Sequence, residues 1–214
     1  MCGITGYIGP RQALPLLLDS LQRVTYRGYD SFGVAVLNGS DLQLFRAVGT
    51  VEEHRHRVGP LVGEVGIGHT RWATVGRVCE ENAHPHLDCG GALAIVHNGD
   101  IDNFHVLRER LRAEGHALRS QTDSEVIAHL MEEGGDDGVA ALCRAVGQLQ
   151  GSYAVVVVHR PSRTLLAARR ESPLVVGLGE GEAFVASDVP ALLPYTRRVV
   201  YLEDGDVAQL GPRG

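Results

Sequence analysis

Cys2 stands one position from the start of the sequence, where most chains are frayed and chemically idle. The residues after it, Gly3-Ile4-Thr5-Gly6-Tyr7-Ile8-Gly9, alternate apolar with small, the pattern of a strand that other backbone approaches closely. That pattern predicts a Cys2 held inside the fold. Removal of Met1, which the small residue at position 2 favours, would leave a thiol and a free α-amine on one residue. The amine titrates at about 7.7–8.0 and an ordinary thiol at about 8.5, so the amine can take the thiol proton near neutral pH. Such a pair is a self-contained nucleophile and base for acyl transfer. A buried small side chain or a surface thiol is the plainer reading, and for a lone cysteine it carries most of the weight.

An acyl-transferring thiol needs donors for the oxyanion, and Asn98-Gly99 ends an apolar strand where a side-chain amide and a backbone N–H could meet. On spacing alone an ordinary turn is favoured about two to one over that role. Arg71 follows an apolar stretch, and a buried arginine wants a carboxylate, from a ligand or from the protein itself. Asp123 has a bland explanation as an acid in the first turn of a helix, and a functional one as the partner of an ammonium. Together Arg71 and Asp123 describe a pocket for a free amino acid. The histidines at 69, 84, 86 and 97, with Cys79 and Cys89, match no standard metal-ligand spacing, so no metal and no cofactor is expected. His54, Arg55, His56 and Arg57 read as a solvated face.

Composition sets bounds on the class. The 214 residues are 44% hydrophobic and 21% charged, with a net charge of −6. Interspersed charge of that sign argues against nucleic acid or a membrane surface as partner. No apolar run reaches the ~20 residues a membrane helix needs, and no signal-peptide pattern opens the chain. Of the four cysteines only Cys79 and Cys89 have a spacing that would allow a bridge; reduced thiols in a cytoplasm are the expectation.

The elements that must position these residues follow from periodicity. Leucines at 14, 17, 18 and 21 predict a helix over 12–24, with Pro15 tolerable in its first turn. A strand at 33–37 meets Asn38-Gly39, a hairpin signal, and returns at 42–45. Residues 54–63 predict a short helix or loop. Strands are predicted at 66–72 and 93–97, separated by a long aperiodic segment of the kind that is more often functional than idle. Helices are predicted at 103–114, from a capping box at Thr122-Asp123-Ser124-Glu125 to Glu133, and at 139–149. A break over 134–138 separates the last two. Short strands at 153–159, 164–168, 174–176, 183–186 and 199–202, with a helical turn near Pro190, close the chain. Strands with helices clustered in the middle give an α+β class.

The stretches Met1-Cys2-Gly3-Ile4, Tyr26-Arg27-Gly28-Tyr29-Asp30-Ser31, His69-Thr70-Arg71-Trp72-Ala73-Thr74, Asn82-Ala83-His84-Pro85-His86, His97-Asn98-Gly99 and Thr122-Asp123-Ser124-Glu125 occur in this order. Together, and through Ser172-Pro173-Leu174, Ala186-Ser187-Asp188 and Leu202-Glu203-Asp204-Gly205-Asp206, the chain resembles the glutaminase domain of the glucosamine-6-phosphate synthases. These are class II glutamine amidotransferases of the amino-terminal nucleophile hydrolase type. The resemblance implies a four-layer αββα sandwich, two mainly antiparallel sheets between helices, formed by one type 2 amidotransferase domain over 1–214. It implies Cys2 as nucleophile with its α-amine as base, Asn98 and Gly99 as oxyanion donors, and Arg27 ordering the Cys2 surroundings. Glutamine would be held by Arg71 and Asp123, with Trp72, Thr74, Val75 and His86 completing the substrate site and Thr74 in a closing loop. The reaction implied is release of ammonia through a γ-glutamyl thioester, for amino-sugar synthesis.

Two departures stand out. The family usually has histidine where this chain has Val75, so only a backbone contact would survive there. Asp100 and Asp102 make the segment after Gly99 unusually acidic, without an account from sequence. The sugar-phosphate isomerase half is absent from this chain, and Pro212-Arg213-Gly214 would suit the start of a cut linker. The implied partners are L-glutamine and a synthase or isomerase domain or subunit that takes the ammonia; homo-oligomers are compatible. The rival readings are a free-standing glutaminase with a different acceptor, and a catalytically idle domain that senses glutamine or docks a partner.

Overall fold

Strand β1 (Gly3–Ile8) runs through the middle of a seven-stranded sheet, buried at every position. The computed structural model describes residues 2–135 and 137–211. In chain order β1 is followed by helix α1 (Ala13–Arg23), the hairpin β2 (Ser31–Asn38) and β3 (Asp41–Val48), a short helix α2 (Val51–His54), β4 (Val65–Arg71), β5 (His86–Leu87) and β6 (Leu93–Ile101). Three helices come next, α3 (Phe104–Ala113), α4 (Glu125–Glu132) and α5 (Gly138–Val146). The chain closes with β7 (Gly151–His159), β8 (Thr164–Arg170), β9 (Val175–Leu178), β10 (Ala183–Ala186), β11 (Val199–Tyr201) and β12 (Val207–Leu210). The first sheet has the order β11-β9-β10-β1-β4-β2-β3 and the second β12-β8-β7-β6-β5, all pairs antiparallel.

The layers follow from which side chains alternate to which face. On β7, Val156 and Val158 pack between the sheets against Ile4, Ala35 and Ile67, while Val155 and Val157 face the helices. Both faces of that strand are buried, so its sequence reads as a continuous apolar run and not as an alternation. Burying each of these valines contributes about 1.5–3 kcal/mol. Leu17 and Leu21 of α1 cover the outer face of the first sheet, over Tyr7, Phe32 and Phe184. Leu111, Val126, Leu130 and Leu142 of the later helices cover the outer face of the second. The result is the expected αββα sandwich.

Several local expectations need correction. Asn98-Gly99 is not a turn: β6 continues through both residues to Ile101. Gly99 sits in the strand at φ +127°, where a Cβ would lie 2.2 Å from the Ser152 carbonyl oxygen, so only glycine is accommodated. The capping box at Thr122 does not form. Thr122 is bonded to His86, and Glu125 instead accepts from the Arg119 and Ser120 backbone N–H groups at 2.8 and 2.7 Å. A capping box forms earlier, where Thr50 and Glu53 bond reciprocally to open α2. In the hairpin, Asn38 pairs with Asp41, so the turn is Gly39-Ser40. Cys79 and Cys89 are not bridged; all four cysteines are free. Strands β5 and β12 have no counterpart in the sequence reading. Met1 and the linker-like residues 212–214 lie outside the described residues, as does residue 136 of the break after α4. Among the described residues no helix is long and apolar enough to cross a membrane.

Candidate active site

Pairing places Cys2 where the two sheets meet. Gly3 faces Thr70 and Ile4 faces His69, so Cys2 arrives beside the end of β4 at Arg71-Trp72. The Trp72 backbone N–H donates to Cys2 Sγ at 3.2 Å. The Cys2 carbonyl accepts from Arg27 Nε at 3.0 Å and from Asn98 Nδ2 at 2.8 Å. One residue is thus gripped from three parts of the chain, which fixes the direction of its side chain. Burial pushes the Cys2 thiol up from the ordinary range; the Trp72 hydrogen bond and the nearby Arg71 and Arg27 guanidiniums work against that.

Arg27 comes from a single 3-10 turn, Thr25–Arg27, and is itself anchored. Its Nη1 lies 3.2 Å from Asp188 Oδ2, the same oxygen that accepts from the Tyr26 hydroxyl at 2.7 Å. Gly28 lets this turn lie against β4: a Cβ there would meet the Arg71 carbonyl carbon at 2.7 Å. Asp30 completes the junction, its backbone N–H bonded to the Arg71 carbonyl and its carboxylate to the Ala73 N–H.

Asn98 and Gly99 sit across the cleft on β6. An amide NH2 group has two hydrogens, and Asn98 spends one on Cys2, leaving the second for a ligand. The side chain cannot turn over without loss, because its Oδ1 accepts from His69 Nε2 at 3.0 Å. His69 Nε2 also faces the His97 carbonyl at 3.1 Å; a carbonyl only accepts, so this nitrogen carries the proton. Full burial keeps the ring neutral, pushed down to about 3.

Two adjoining hollows share Cys2, Trp72, Thr74 and Gly99 in their walls. The inner one also has Arg71, Val75 and Asp123 in its wall. Arg71 is buried at 4% exposure, and its guanidinium bonds the carbonyls of Val75 and Arg77 with donors to spare. Asp123 accepts from the Ile101 N–H at 2.9 Å through one oxygen and from the Ser124 hydroxyl at 3.3 Å through the other. The Ser124 hydroxyl in turn meets His97 Nδ1 at 2.9 Å. A fixed cation and a fixed anion therefore flank a space one step from the thiol, a geometry suited to the two ends of an α-amino acid.

The loop after β4 lines the outer hollow with Trp72 and Thr74. Thr74 Oγ1 donates to Asp100 Oδ1 at 3.1 Å, which gives the unexplained acid after Gly99 a contact. Trp72 is half exposed and meets Tyr29 edge-on at 5.4 Å. At position 75 it is the backbone carbonyl that is used, by Arg71. His86 is placed elsewhere. Its ring packs behind His84 at 4.6 Å, its Nε2 bonds Thr122, and it faces a separate hollow with Arg46 and Cys89. The sequence reading brought Cys2, Arg27, Arg71, Trp72, Thr74, Val75, Asn98, Gly99 and Asp123 to one place and missed the orienting groups. His69 and Asp188 carry no local signal of that role, since their partners are distant in the chain.

Comparisons with known proteins agree on a relationship. A family model described as a glutamine amidotransferase domain matches residues 53–210. The glutamine–fructose-6-phosphate aminotransferase (isomerizing) of Thermus thermophilus is 53% identical over 217 residues, covering 100% of this chain and 36% of that protein. The protein of the same name from Aquifex aeolicus is 48% identical, covering 99% of this chain and again 36% of its own length. The chain thus spans about a third of the length of these relatives. Among solved structures, the glutamine phosphoribosylpyrophosphate amidotransferase of Bacillus subtilis superposes with a TM-score of 0.85 at 25% identity, covering 97% of this chain and 47% of that one. A class II glutamine aminotransferase domain protein from Silicibacter pomeroyi shares the fold, with a TM-score of 0.65 at 21% identity over 98% of this chain and 95% of its own.

Proposed function

We propose that this chain, which belongs to the glutamine amidotransferase family, hydrolyses the side-chain amide of L-glutamine to glutamate and ammonia. The observation that carries the proposal is one constellation: a gripped thiol, an oriented amide donor, and a buried arginine and aspartate around one cleft. Cys2 Sγ attacks the amide carbon. The developing oxyanion is met by the second Asn98 Nδ2 hydrogen and the Gly99 N–H, each such donor worth about 10²–10³ in turnover. Ammonia leaves with the proton taken from the thiol, and water then cleaves the γ-glutamyl thioester to restore Cys2. Arg71 holds the α-carboxylate of glutamine and Asp123 its α-ammonium, so that the side chain extends to Cys2. The base is the α-amine of Cys2, freed by removal of Met1; with burial raising the thiol, a base is required near neutral pH.

The chain acts as one amidotransferase domain of type 2. Its ammonia serves amino-sugar synthesis in an acceptor domain or subunit, a reading supported by relatives nearly three times its length that carry that activity in their name. A cytoplasmic setting fits four unbridged cysteines. The test is incubation of the chain with glutamine, following glutamate and ammonia in equal amounts. Cys2→Ala is expected to abolish both while glutamine binding persists; turnover by the Cys2→Ala chain would refute the assignment. Fructose 6-phosphate added to this chain alone is expected to yield no glucosamine 6-phosphate.

A further inference from the structure

Behind the second sheet, away from Cys2, four side chains from three segments turn their donor atoms toward one point. They are Cys89 in the connection between β5 and β6, His116 just after α3, and His129 and Glu132 one turn apart on α4. We infer that these four residues bind a single divalent transition-metal ion of the zinc type.

The distances carry this. Cys89 Sγ lies 3.7 Å from His116 Nδ1 and 3.5 Å from His129 Nδ1. Glu132 Oε2 lies 3.0 Å from His116 Nδ1 and 3.2 Å from His129 Nδ1. All the donor atoms fall within 4.8 Å of one another. Bonds of ~2.0–2.1 Å to nitrogen or oxygen and ~2.3 Å to sulfur, arranged tetrahedrally, put neighbouring ligand atoms about 3.3–3.6 Å apart. The four separations, from 3.0 to 3.7 Å, bracket that range. A hydrogen-bonded cluster fits less well: each Nδ1 faces sulfur and carboxylate together, and one N–H proton lies along only one of those lines. A cation at the centre serves all four atoms at once.

Charge and surroundings agree. A divalent ion with one thiolate, one carboxylate and two neutral imidazoles is electrically neutral, as a partly buried site requires. The thiol gives up its proton to solvent on binding. The Ala117 backbone N–H points at Cys89 Sγ from 3.4 Å, and the Cys89 N–H at Glu132 Oε2 from 3.2 Å, so the anionic ligands already have supporting donors. Sulfur with imidazole in a tetrahedral set selects zinc among common ions. Four protein ligands leave no open position, so the ion is structural. It clamps the two connections to α4, the helix that begins two residues after Asp123.

The test uses the full 214-residue chain, stripped with a chelator and titrated with Co²⁺ and then Zn²⁺. One equivalent of Co²⁺ is expected to give a thiolate charge-transfer band with intense tetrahedral d–d bands, both removed by one equivalent of Zn²⁺. Cys89→Ser is expected to lose the charge-transfer band and His116→Ala to weaken binding at least tenfold, while Cys2→Ala and Cys143→Ala keep the spectrum. A band that survives in Cys89→Ser, or binding no tighter than in a Cys89→Ser/His116→Ala double variant, overturns the site. A readout free of any variant is alkylation of the unmodified chain: Zn²⁺ is expected to protect Cys89 from iodoacetamide, and an unchanged rate overturns the site equally.

Discussion

His69 Nε2 donates to Asn98 Oδ1 across 3.0 Å, and that bond decides which way the Asn98 amide faces. With Oδ1 committed to His69, Nδ2 must face Cys2, which it does at 2.8 Å. The strand pairing explains why the two meet: His69 lies opposite Ile4 on β4, two positions from Cys2, and Asn98 lies on β6 of the facing sheet. A buried neutral histidine thus works as a fixed donor, one step removed from the reacting atoms.

Replacing that donor should separate binding from chemistry. His69→Phe is expected to lower kcat for glutamine hydrolysis by about 10–10³, up to the value of one oxyanion donor, with KM changed by less than threefold. Steady-state kinetics on the variant check it. An equal loss in KM would make His69 a substrate contact and not a positioning residue.

The buried histidines also set a pH response. His69 is held down to about 3, and His84 and His86 well below the ordinary value, in each case chiefly by burial. Below about pH 6.5 the unfolded chain takes up protons that these folded rings refuse, so stability falls as pH falls. Above that pH both states are neutral and the effect vanishes. Urea unfolding between pH 7.5 and 5 is expected to lose up to about 1.4 kcal/mol per pH unit for each such ring. His84→Asn should flatten the slope by close to one proton; an unchanged slope would mean that His84 titrates alike in both states.

Asp100 ties down the loop that carries Thr74. An exposed hydrogen bond of this kind contributes about 0.5–1.5 kcal/mol. Asp100→Ala is therefore expected to raise KM for glutamine by roughly 2–12-fold, with faster proteolytic cleavage between residues 72 and 78. Kinetics and limited digestion check it, and a KM within error of the parent chain would show that the tether plays no part in substrate capture.

Much of this arrangement was legible in the sequence because it is local. The apolar alternation after Cys2, the leucine stripe of α1 and the apolar runs of β6 and β7 each read correctly as elements. Asn98-Gly99 did not, because Asn-Gly is the chemistry of a turn, whereas here Gly99 keeps the strand going at φ +127°. Thr122 and Glu125 have capping-box spacing, but His86 and the Arg119-Ser120 backbone compete for them and prevail. His69, Asp188 and the Cys89 cluster depend on partners far away in the chain, and no local pattern records such meetings. The roles expected of Trp72, Thr74 and Arg27 come from the family resemblance, since residue spacing alone leaves them open.

The most direct measurement is the mass of the intact chain before and after reaction with an electrophilic glutamine analogue, followed by peptide mapping. A parent chain lacking Met1 that gains one analogue, on Cys2, with loss of glutaminase activity in the same proportion, is the expected result. A chain that keeps Met1 yet turns over glutamine would contradict the α-amine as base, and an adduct on any residue but Cys2 would contradict the nucleophile.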